Sequence, residues 1–597
     1  MKELRTLLPF LRPYRLGLAA GIALVVVANA FGILTPLLIG RAIDALESPG
    51  ITYALIVRYA AAVVLVAILS GAARFGMREL LNGISRRVET DLRDRFFQHL
   101  LRLDAAFYAR TRTGDLMSRA TNDTQAVRMA AGPAVMYLVN TVVITSFALA
   151  FMLRIDARLT AFALIPMLLL APIALGFGRI IHRRFERIQA HLGDLSTLVQ
   201  ENLAGVRIIR AYRQERAQER EFERMNAEQM ARNMALARTG GIFHPLLSLL
   251  TGLGMVAVLW LGGRRVIGGE ISPGEFVAFG FYLNLLTWPM ISLGWVINLF
   301  QRGAASMGRL NRILAAEPRV REPDRPARLA RVRGEIEFRD VYFRYPGTER
   351  DVLSGVSFRI PAGATVALVG PTGAGKSTII ALLARLYDPD AGEILLDGIP
   401  LQDLPLETVR GALGLVPQDA FVFSETIEAN IALGLPTDED HGAHVRGAAA
   451  IARLDEAIEN FPDGYQTRLG ERGINLSGGQ RQRTTLARAI ARDPDILVLD
   501  DALSAVDTRT ETEILEALRN VVRGRTALIV SHRLTAVMGA DRILVLDGGR
   551  IVEEGTHAEL IAKESLYATL LRRQLLEEHL AAGNRVAADP ENAYLPG

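Results

Sequence analysis

TVALVGPTGAGKSTIIALLARL, Thr365–Leu386, reads as three successive pieces. Five strand-forming residues come first, then G-x-x-x-x-G-K-S, then an apolar run with helical character. That order is the context in which this glycine-rich motif has chemical meaning. Gly370, Gly373 and Gly375 let the backbone wrap a phosphate so that its N–H groups point inward. The helix beginning near Lys376 adds the positive end of its dipole. Lys376 can reach β- and γ-phosphates, and Ser377 offers a hydroxyl to Mg2+. The chain has 68 basic residues, of which only Lys2, Lys376 and Lys563 are lysine. A compact ammonium fits among phosphate oxygens where a planar guanidinium does not.

Working outward, the chain has 597 residues, 50% of them hydrophobic, and a net charge of +4. Length alone suggests about four domains, but the apolar residues are unevenly spread. Long uncharged runs fill the first half, and the second half reads as soluble. There is no cysteine, which excludes disulfides, thiolate metal sites and thiol catalysis.

A run of ~20 apolar residues crosses a bilayer. Six segments qualify: 16–40, 54–77, 130–153, 159–177, 242–266 and 276–300. The first is too long for a signal-peptide core. Two long arginine-rich loops follow spans two and four, and the other loops are short. Positive charge collects on the cytoplasmic side, so the long loops and both ends of this domain, 1–312, are expected to face the cytoplasm. The long loops carry helical periodicity without proline, so the spans should continue as helices beyond the membrane. No aromatic residues interleave their arginines in a stacking pattern, and no nucleic-acid partner is expected. Asn29, Asn140, His244, Asn284 and Asn298 lie within spans. They fit either helix–helix hydrogen bonding or a wet, substrate-facing cavity. Trp288 and Trp295 fit a cavity or an interface belt.

Residues 313–334 are rich in proline and charge and read as a linker. Beyond it, Ile336, Phe338, Val341, Phe343 and Tyr345 alternate as in a strand. ILVLDDALSAVD (Ile496–Asp507) is an apolar strand ending in two carboxylates. A P-loop enzyme needs a carboxylate at a neighbouring strand end to hold Mg2+, and Asp500 fits. Asp501, one step on, could polarise the attacking water. LSGGQRQR (Leu476–Arg483) has an N-cap candidate in Ser477, two glycines and then a helix. GLVPQDAFVF ends a short strand at Gln418, and TALIVSHRLT ends another at His532.

The P-loop, Gln418, LSGGQ, Asp500 and His532, in this order over one domain of residues 335–575, resemble the nucleotide-binding domain of ABC ATPases. Six spans ahead of that domain resemble a half-transporter of the ABC exporter type. The resemblance implies an all-α six-helix transmembrane domain with long cytoplasmic extensions, followed by an α/β P-loop ATPase domain. It implies that Gly370, Pro371, Thr372, Gly373, Ala374, Gly375, Lys376, Ser377 and Thr378 cradle the phosphates of ATP and that Tyr345 stacks on adenine. Ser377, Gln418 and Asp500 would serve Mg2+. Gln418 would also sense the membrane domain, and His532 would contact the γ-phosphate. Ser477, Gly478, Gly479 and Gln480 would grip ATP held by a second subunit, with Asp507 at the dimer seam. FYARTRTGDLMSRATNDTQAV and LVQENLAGVRIIRAYRQE are similar to the two cytoplasmic loops of that family, whose tips carry coupling helices.

Two positions depart from the pattern. Arg468 stands where the exporter pattern usually has Glu, and Asp501 stands where it usually has Glu. Aspartate is shorter by one methylene, and a misplacement of about 1 Å can cost on the order of a hundredfold in rate. The expectation is a heterodimer in which this chain's own site is hydrolytically weak and its LSGGQ completes a competent site on the partner. A homodimer using Asp501 as base stays open, as do an importer of the same architecture and an ATP-gated channel. A soluble ABC ATPase of DNA repair or translation shares the motifs but lacks the spans. The expected cargo is a lipid, peptide or amphipathic drug. The expected location is a bacterial cytoplasmic membrane, multi-pass and in contact with its lipid, with the ATPase domain and both termini cytoplasmic. Residues 576–597 read as a disordered tail.

Overall fold

The structure is a computed structural model and describes residues 2–48, 51–436 and 441–587. The chain forms two compact units. One comprises Met1–Arg102 with Arg112–Ala316, and the other Leu103–Thr111 with Glu317–Gly597.

The first unit is helical. Its long helices are α1 (Arg15–Leu46) and α2 (Tyr53–Arg102), and a short helix of the second unit, α3 (Ala105–Arg110), follows in the chain. Then come α4 (Thr113–Ile155), α5 (Ala157–Leu168), α6 (Leu170–Ala204), α7 (Val206–Ala211), α8 (Glu215–Ile267) and α9 (Pro273–Leu314). Helix α2 has 50 residues, about 75 Å at 1.5 Å per residue. That is more than twice the hydrocarbon thickness, so it continues well past the apolar stretch.

Among the described residues, five helical runs, containing α1, α2, α4, α8 and α9, are long and apolar enough to cross a membrane. The expected fourth span, 159–177, is divided. Its apolar helix Ala157–Pro166 is shorter, and the helical hydrogen bonding is interrupted at the single residue Leu169, whose backbone stays right-handed helical, before α6 begins. Proline explains the break. Pro172 has no N–H and clashes with the preceding turn of a continuing helix, so it is tolerated only in the first turn of a new one.

Polar groups join these helices. Asn29 Nδ2 donates to Asn140 Oδ1 at 3.0 Å and to the Val25 carbonyl at 2.8 Å. Tyr282 donates to the Ile33 carbonyl. Asp44 accepts from Ser272 Oγ and from the Gly274 amide, both at 2.7 Å, and so binds the amino end of α9, where a carboxylate is favoured. Asn29 and Asn140 therefore serve helix packing. Trp295 packs edge-on to Tyr137, Trp288 is exposed, and Asn298 is half-buried. The side chain of His244 lies outside the described residues.

The second unit is α/β. Its strands are β1 (Ile336–Phe343), β2 (Leu353–Ile360), β3 (Thr365–Val369), β4 (Ala391–Leu396), β5 (Ile399–Pro400), β6 (Leu413–Val416), β7 (Ile496–Asp500), β8 (Thr526–Val530), β9 (Arg542–Asp547) and β10 (Arg550–Gly555). They form a four-stranded sheet, β2-β1-β4-β5, and a six-stranded sheet, β10-β9-β3-β8-β7-β6. In the larger sheet β9, β3, β8, β7 and β6 run parallel. Buried on both faces, they read as continuous apolar runs. Helices α10 (Lys376–Leu383), α11 (Gly478–Ala491), α12 (Thr508–Val521) and α13 (Leu566–Ala587) are the landmarks used below. The last corrects the expected tail. Helix α13 carries the chain to Ala587, well past residue 576, because Tyr567 and Leu571 anchor its start in an apolar cluster with β3 and β9. Residues 588–597 lie outside the described residues.

The expected linker is held down over much of its length. Val320 is buried, and Ala327, Leu329 and Val332 pack against the core between the sheets. The Ala327 amide donates to Asp403 O at 2.8 Å, and the amides of Arg333 and Glu335 donate to the Asp397 carboxylate at 2.7 and 2.9 Å. Arg385 fastens the start. Its guanidinium, only 3% exposed, pairs with Asp388 at 3.1 Å and donates to Leu404 O at 3.2 Å and Arg321 O at 2.8 Å. Replacing Arg385 by Met leaves these acceptors unpaired. The expected cost is on the order of 3 kcal/mol, read as a lower Tm of the full chain and faster proteolysis between residues 320 and 335.

Candidate nucleotide site

The parallel strands end at one level and place the chemistry there. Leu368 of β3 pairs with Val530 of β8, Asp500 of β7 with the same Val530, and Val416 of β6 with Leu499 of β7. Two residues beyond these pairs stand Gly370, His532, Asp501 and Gln418. One sheet edge thus collects the phosphate loop, both carboxylates, the glutamine and the histidine. In open α/β sheets the crevice beyond the carboxyl ends of the strands is where ligands bind.

The loop needs its glycines for two separate reasons. Gly370 and Gly375 have φ of 152° and 107°, a region side chains rarely adopt. A methyl group on Gly370 would also strike the Leu546 carbonyl, and one on Gly375 would lie 2.8 Å from Leu353 Cδ2. Lys376 is 6% exposed, and its Nζ donates to the carbonyls of Gly370 at 2.9 Å and Pro371 at 2.8 Å. Burial lowers its pKa, while the charges of Asp500 and Asp501 oppose that shift. Asp500, also 6% exposed, is pushed up by burial, against a hydrogen bond from Ser377 that lowers it; Asp501 raises it further. Burial thus weakens both members of this opposed pair of charges.

Asp501 has φ of 48°, a left-handed backbone that Asp and Asn adopt more readily than most residues. Its amide donates to Val530 O at 2.8 Å, and its Oδ1 accepts from the His532 amide at 3.4 Å. The short side chain therefore turns back toward β8. Gln418 and His532 are exposed at the same edge. Tyr345 is half-buried beside the loop. Its hydroxyl lies 3.2 Å from Thr378 Oγ1, and its ring meets Tyr387 and Phe343 edge-on at 5.3 and 5.0 Å.

Ser477 caps α11 as its sequence suggests, and Gln480 completes the cap. The Gln480 amide donates to Ser477 Oγ at 3.2 Å, and the Ser477 amide to Gln480 Oε1 at 2.8 Å. This capping box orients the amino end of α11. A methyl group on Gly479 would lie 2.9 Å from the Ala505 carbonyl, and one on Gly478 would lie 3.5 Å from Ala505 Cβ. Close approach requires glycine at 479, while the contact at 478 is an ordinary one. Asp507 caps α12, accepting from the Thr510 amide at 3.0 Å, and that bond lowers its pKa. These residues bond and pack with one another and with the 501–507 segment, apart from the Gly370–Thr378 cradle. Arg468, the unexpected basic residue, meets Glu425 at 3.2 Å on an exposed surface.

One feature escapes the motif reading. Gln482, 5% exposed, donates to Ser504 Oγ at 2.8 Å and accepts from the Ala505 amide at 2.8 Å. It clamps the segment that follows Asp501 to the helix that follows LSGGQ. The signal available was a second glutamine on the inner face of that helix. Helix α3 overlaps the start of the first cytoplasmic-loop motif, FYARTRTGDLMSRATNDTQAV. Its residues 103–111 belong to the ATPase-containing unit, Leu103 and Ala106 are buried, and Asp104 caps the helix while accepting from the Arg319 amide.

A buried lysine in a phosphate-wrapping loop, beside a strand-end carboxylate and a serine hydroxyl, defines a P-loop nucleotide hydrolase. Family comparison carries the assignment further. Residues 18–290 match the ABC transporter transmembrane region, and residues 353–504 match the ABC transporter family. The chain is 40% identical over 569 residues to the probable multidrug resistance ABC transporter ATP-binding/permease protein YheI of Bacillus subtilis (strain 168), covering 95% of this chain and 97% of that one. It is 35% identical over 522 residues to the ATP-dependent lipid A-core flippase of Syntrophus aciditrophicus (strain SB), covering 87% and 85%. A solved bacterial Atm1-family ABC exporter with ATP bound superposes with a TM-score of 0.77 at 29% identity, covering 94% of this chain and 98% of that one. The chain belongs to the ABC transporter family, as an exporter-type half-transporter with its transmembrane domain fused to its ATPase domain. It is a multi-pass membrane protein that binds ATP and couples ATP hydrolysis to transport.

Two outcomes follow from the geometry. Because burial raises the pKa of Asp500, its charged form costs folding free energy at neutral pH, and the cost is relieved as pH falls through the raised pKa. Asp500→Asn should leave the Tm of the nucleotide-free protein equal or higher at pH 7, with the gain shrinking on acidification. Gln482→Leu should leave the fold intact but expose the Ala505 amide. Hydrogen exchange should accelerate across residues 501–507, with little change in the strand β7 amides.

Proposed function

We propose that this chain exports an amphipathic or hydrophobic substrate by alternating access, as one half of a heterodimer in which its own ATP site hydrolyses slowly. The observation that carries this reading is Asp501, whose short carboxylate is drawn toward the His532 amide at the edge of β8. A base that must reach an attacking water from this position lacks one methylene of length. Support for a second subunit comes from α7 and its flanks. Leu203, Ile208 and Tyr212 on this second cytoplasmic loop are 71%, 64% and 73% exposed. Apolar side chains presented this openly, outside the spans, suit a partner's surface.

In this reading Lys376 turns its ammonium from the loop carbonyls to the β- and γ-phosphates, and residues Gly370–Thr378 cradle them. Tyr345 offers its ring to adenine. Ser477, Gly478 and Gly479 grip the γ-phosphate of the partner's ATP, with Gln480 holding the cap, and Asp507 lies near the seam. Ser377, Asp500 and Gln418 provide a hard oxygen set, with a buried carboxylate whose charge awaits a cation, and this set fits Mg2+. Mg2+ bound with the nucleotide supplies neutralisation of phosphate charge. His532 contacts the γ-phosphate, and Gln418 relays occupancy toward the membrane domain. The ATPase domain and both termini face the cytoplasm. The relatives' names point to drugs and lipid A-core as cargo of those proteins, which supports an amphipathic substrate here.

A homodimer using Asp501 as base is the second reading, favoured by the position of Asp501 level with Gln418 at the strand edge. The purified chain separates the two. For the heterodimer, the chain alone hydrolyses ATP barely above background, and Asp501→Glu raises the rate on the order of 10- to 100-fold. Vigorous turnover by the chain alone, abolished in Asp501→Ala, establishes the homodimer instead.

A further inference from the structure

Arg74 lies within the expected second span, and its position is unusual for a charged residue there. Helices α1 and α2 run antiparallel. Gly21 packs on Leu81, Gly76 on Leu24, and Ser70 Oγ donates to the Ala28 carbonyl at 3.0 Å. The backbone of Arg74 is therefore level with the stretch between Leu24 and Ala28. Its guanidinium, however, reaches Gly32, where a methyl group would lie 3.5 Å from Nη2. Side chains on a helix lean toward its amino end, and α2 begins on the outer side. Arg74 thus points deeper into the span, away from the cytoplasmic interface toward which arginines near a helix end ordinarily snorkel. Gly32 sits well inside the apolar run of α1.

Among the described residues no carboxylate pairs with Arg74. The guanidinium instead lines a groove of about 520 Å3 with Gly32, Thr35, Ser70, Phe281 and Asn284. Pro36, also on this wall, has no N–H, so the Gly32 carbonyl loses its usual helical donor. The groove combines one uncompensated cation, an amide, a hydroxyl and a free backbone acceptor with aromatic and aliphatic side chains. Helix packing explains several other polar groups of this unit: Asn29 with Asn140, Asp123 with Arg309 and Asp44 with the α9 amino end. It does not explain Arg74.

We propose that this groove binds the anionic head of an amphiphile, a phosphate or carboxylate on an apolar tail, with Arg74 as the charge-pairing donor and Asn284 as a second polar contact. The proposal rests on the export reading above and narrows its substrate class. A planar guanidinium pairs such oxygens bidentately, and the groove's size is that of ordinary small-molecule sites.

The test uses the full chain without nucleotide, in phosphatidylcholine nanodiscs. The probes are fluorescent dodecyl compounds that differ only in the head: phosphate, carboxylate, alcohol or trimethylammonium. The expected result is that the two anionic probes bind about tenfold or more tighter than the other two. Arg74→Gln should remove that preference without weakening the alcohol probe, and Arg74→Lys should restore much of it. Asn284→Asp, which adds opposing charge, should weaken the anionic probes in the same direction and serves if Arg74→Gln does not fold. Equal binding of all four heads, an equal loss for all heads in Arg74→Gln, or displacement by millimolar inorganic phosphate would overturn the proposal. Because binding is read without ATP or transport, a failure here leaves ATP-driven export standing with another cargo. A failure of export leaves the head-group preference measurable.

Discussion

The whole ATPase unit is arranged around a pair of opposite charges held in a place that suits neither. Lys376 and Asp500 are each 6% exposed, and burial works against the charged form of both. Neither would persist in a core evolved for stability alone, since an apolar pair of the same size would cost less. Their presence makes sense only with a third charged body between them. The lysine occupies itself with two loop carbonyls and the aspartate with the Ser377 hydroxyl. Those are weak, exchangeable partners compared with phosphate oxygens and a divalent cation.

The same edge also has to communicate, and the structure shows a short mechanical route. Asp501 begins the segment that ends at Asp507, which caps α12. Between them, Ser504 and Ala505 are gripped by Gln482, a residue of the helix whose amino end is the LSGGQ turn. Gly479 lies against the Ala505 carbonyl at a distance that admits no side chain. A displacement at either end must therefore move the other or break buried hydrogen bonds. In the dimer proposed above, with LSGGQ serving the partner's nucleotide, this clamp would couple two sites without a long pathway. The physical warrant is rigidity of a contiguous contact.

Much of this was legible from residue types. The phosphate loop announced itself by glycine spacing and a rare lysine, because only certain backbones wrap a phosphate. Parallel strands showed as uninterrupted apolar runs, and the cap at Ser477 as a polar residue before a helical stretch. What was hidden depended on tertiary context. Gln482 belongs to a polar-looking octapeptide, LSGGQRQR, whose second glutamine was the one signal and whose burial is set by tertiary packing. The linker's charge and proline content hid the fact that its backbone amides have acceptors waiting at Asp397 and Asp403. The division of the fourth span followed from prolines that a hydropathy window averages away, and the extent of α13 from an apolar anchor at Tyr567 and Leu571.

The membrane unit obeys the complementary rule. In hydrocarbon an unsatisfied polar group is expensive, so natural sequences either pair such groups or use them. Within the expected spans Asn29 pairs with Asn140 and Tyr282 with the Ile33 carbonyl. Beyond the spans charged groups are paired too: Asp123 meets Arg309 through two oxygens and shares it with Ser306. Glu89 is shared by Arg86, Arg93 and Arg128. Asp44 spends both carboxylate oxygens on one helix end. Each of these has a partner on a neighbouring helix, and Glu89 has two more on its own. Departures from local consistency in a natural protein concentrate at functional positions. An arginine that reaches inward along the span, beside a carbonyl stripped of its donor by proline, is such a departure. Packing gives it nothing to hold, and the groove in front of it is what remains to account for it.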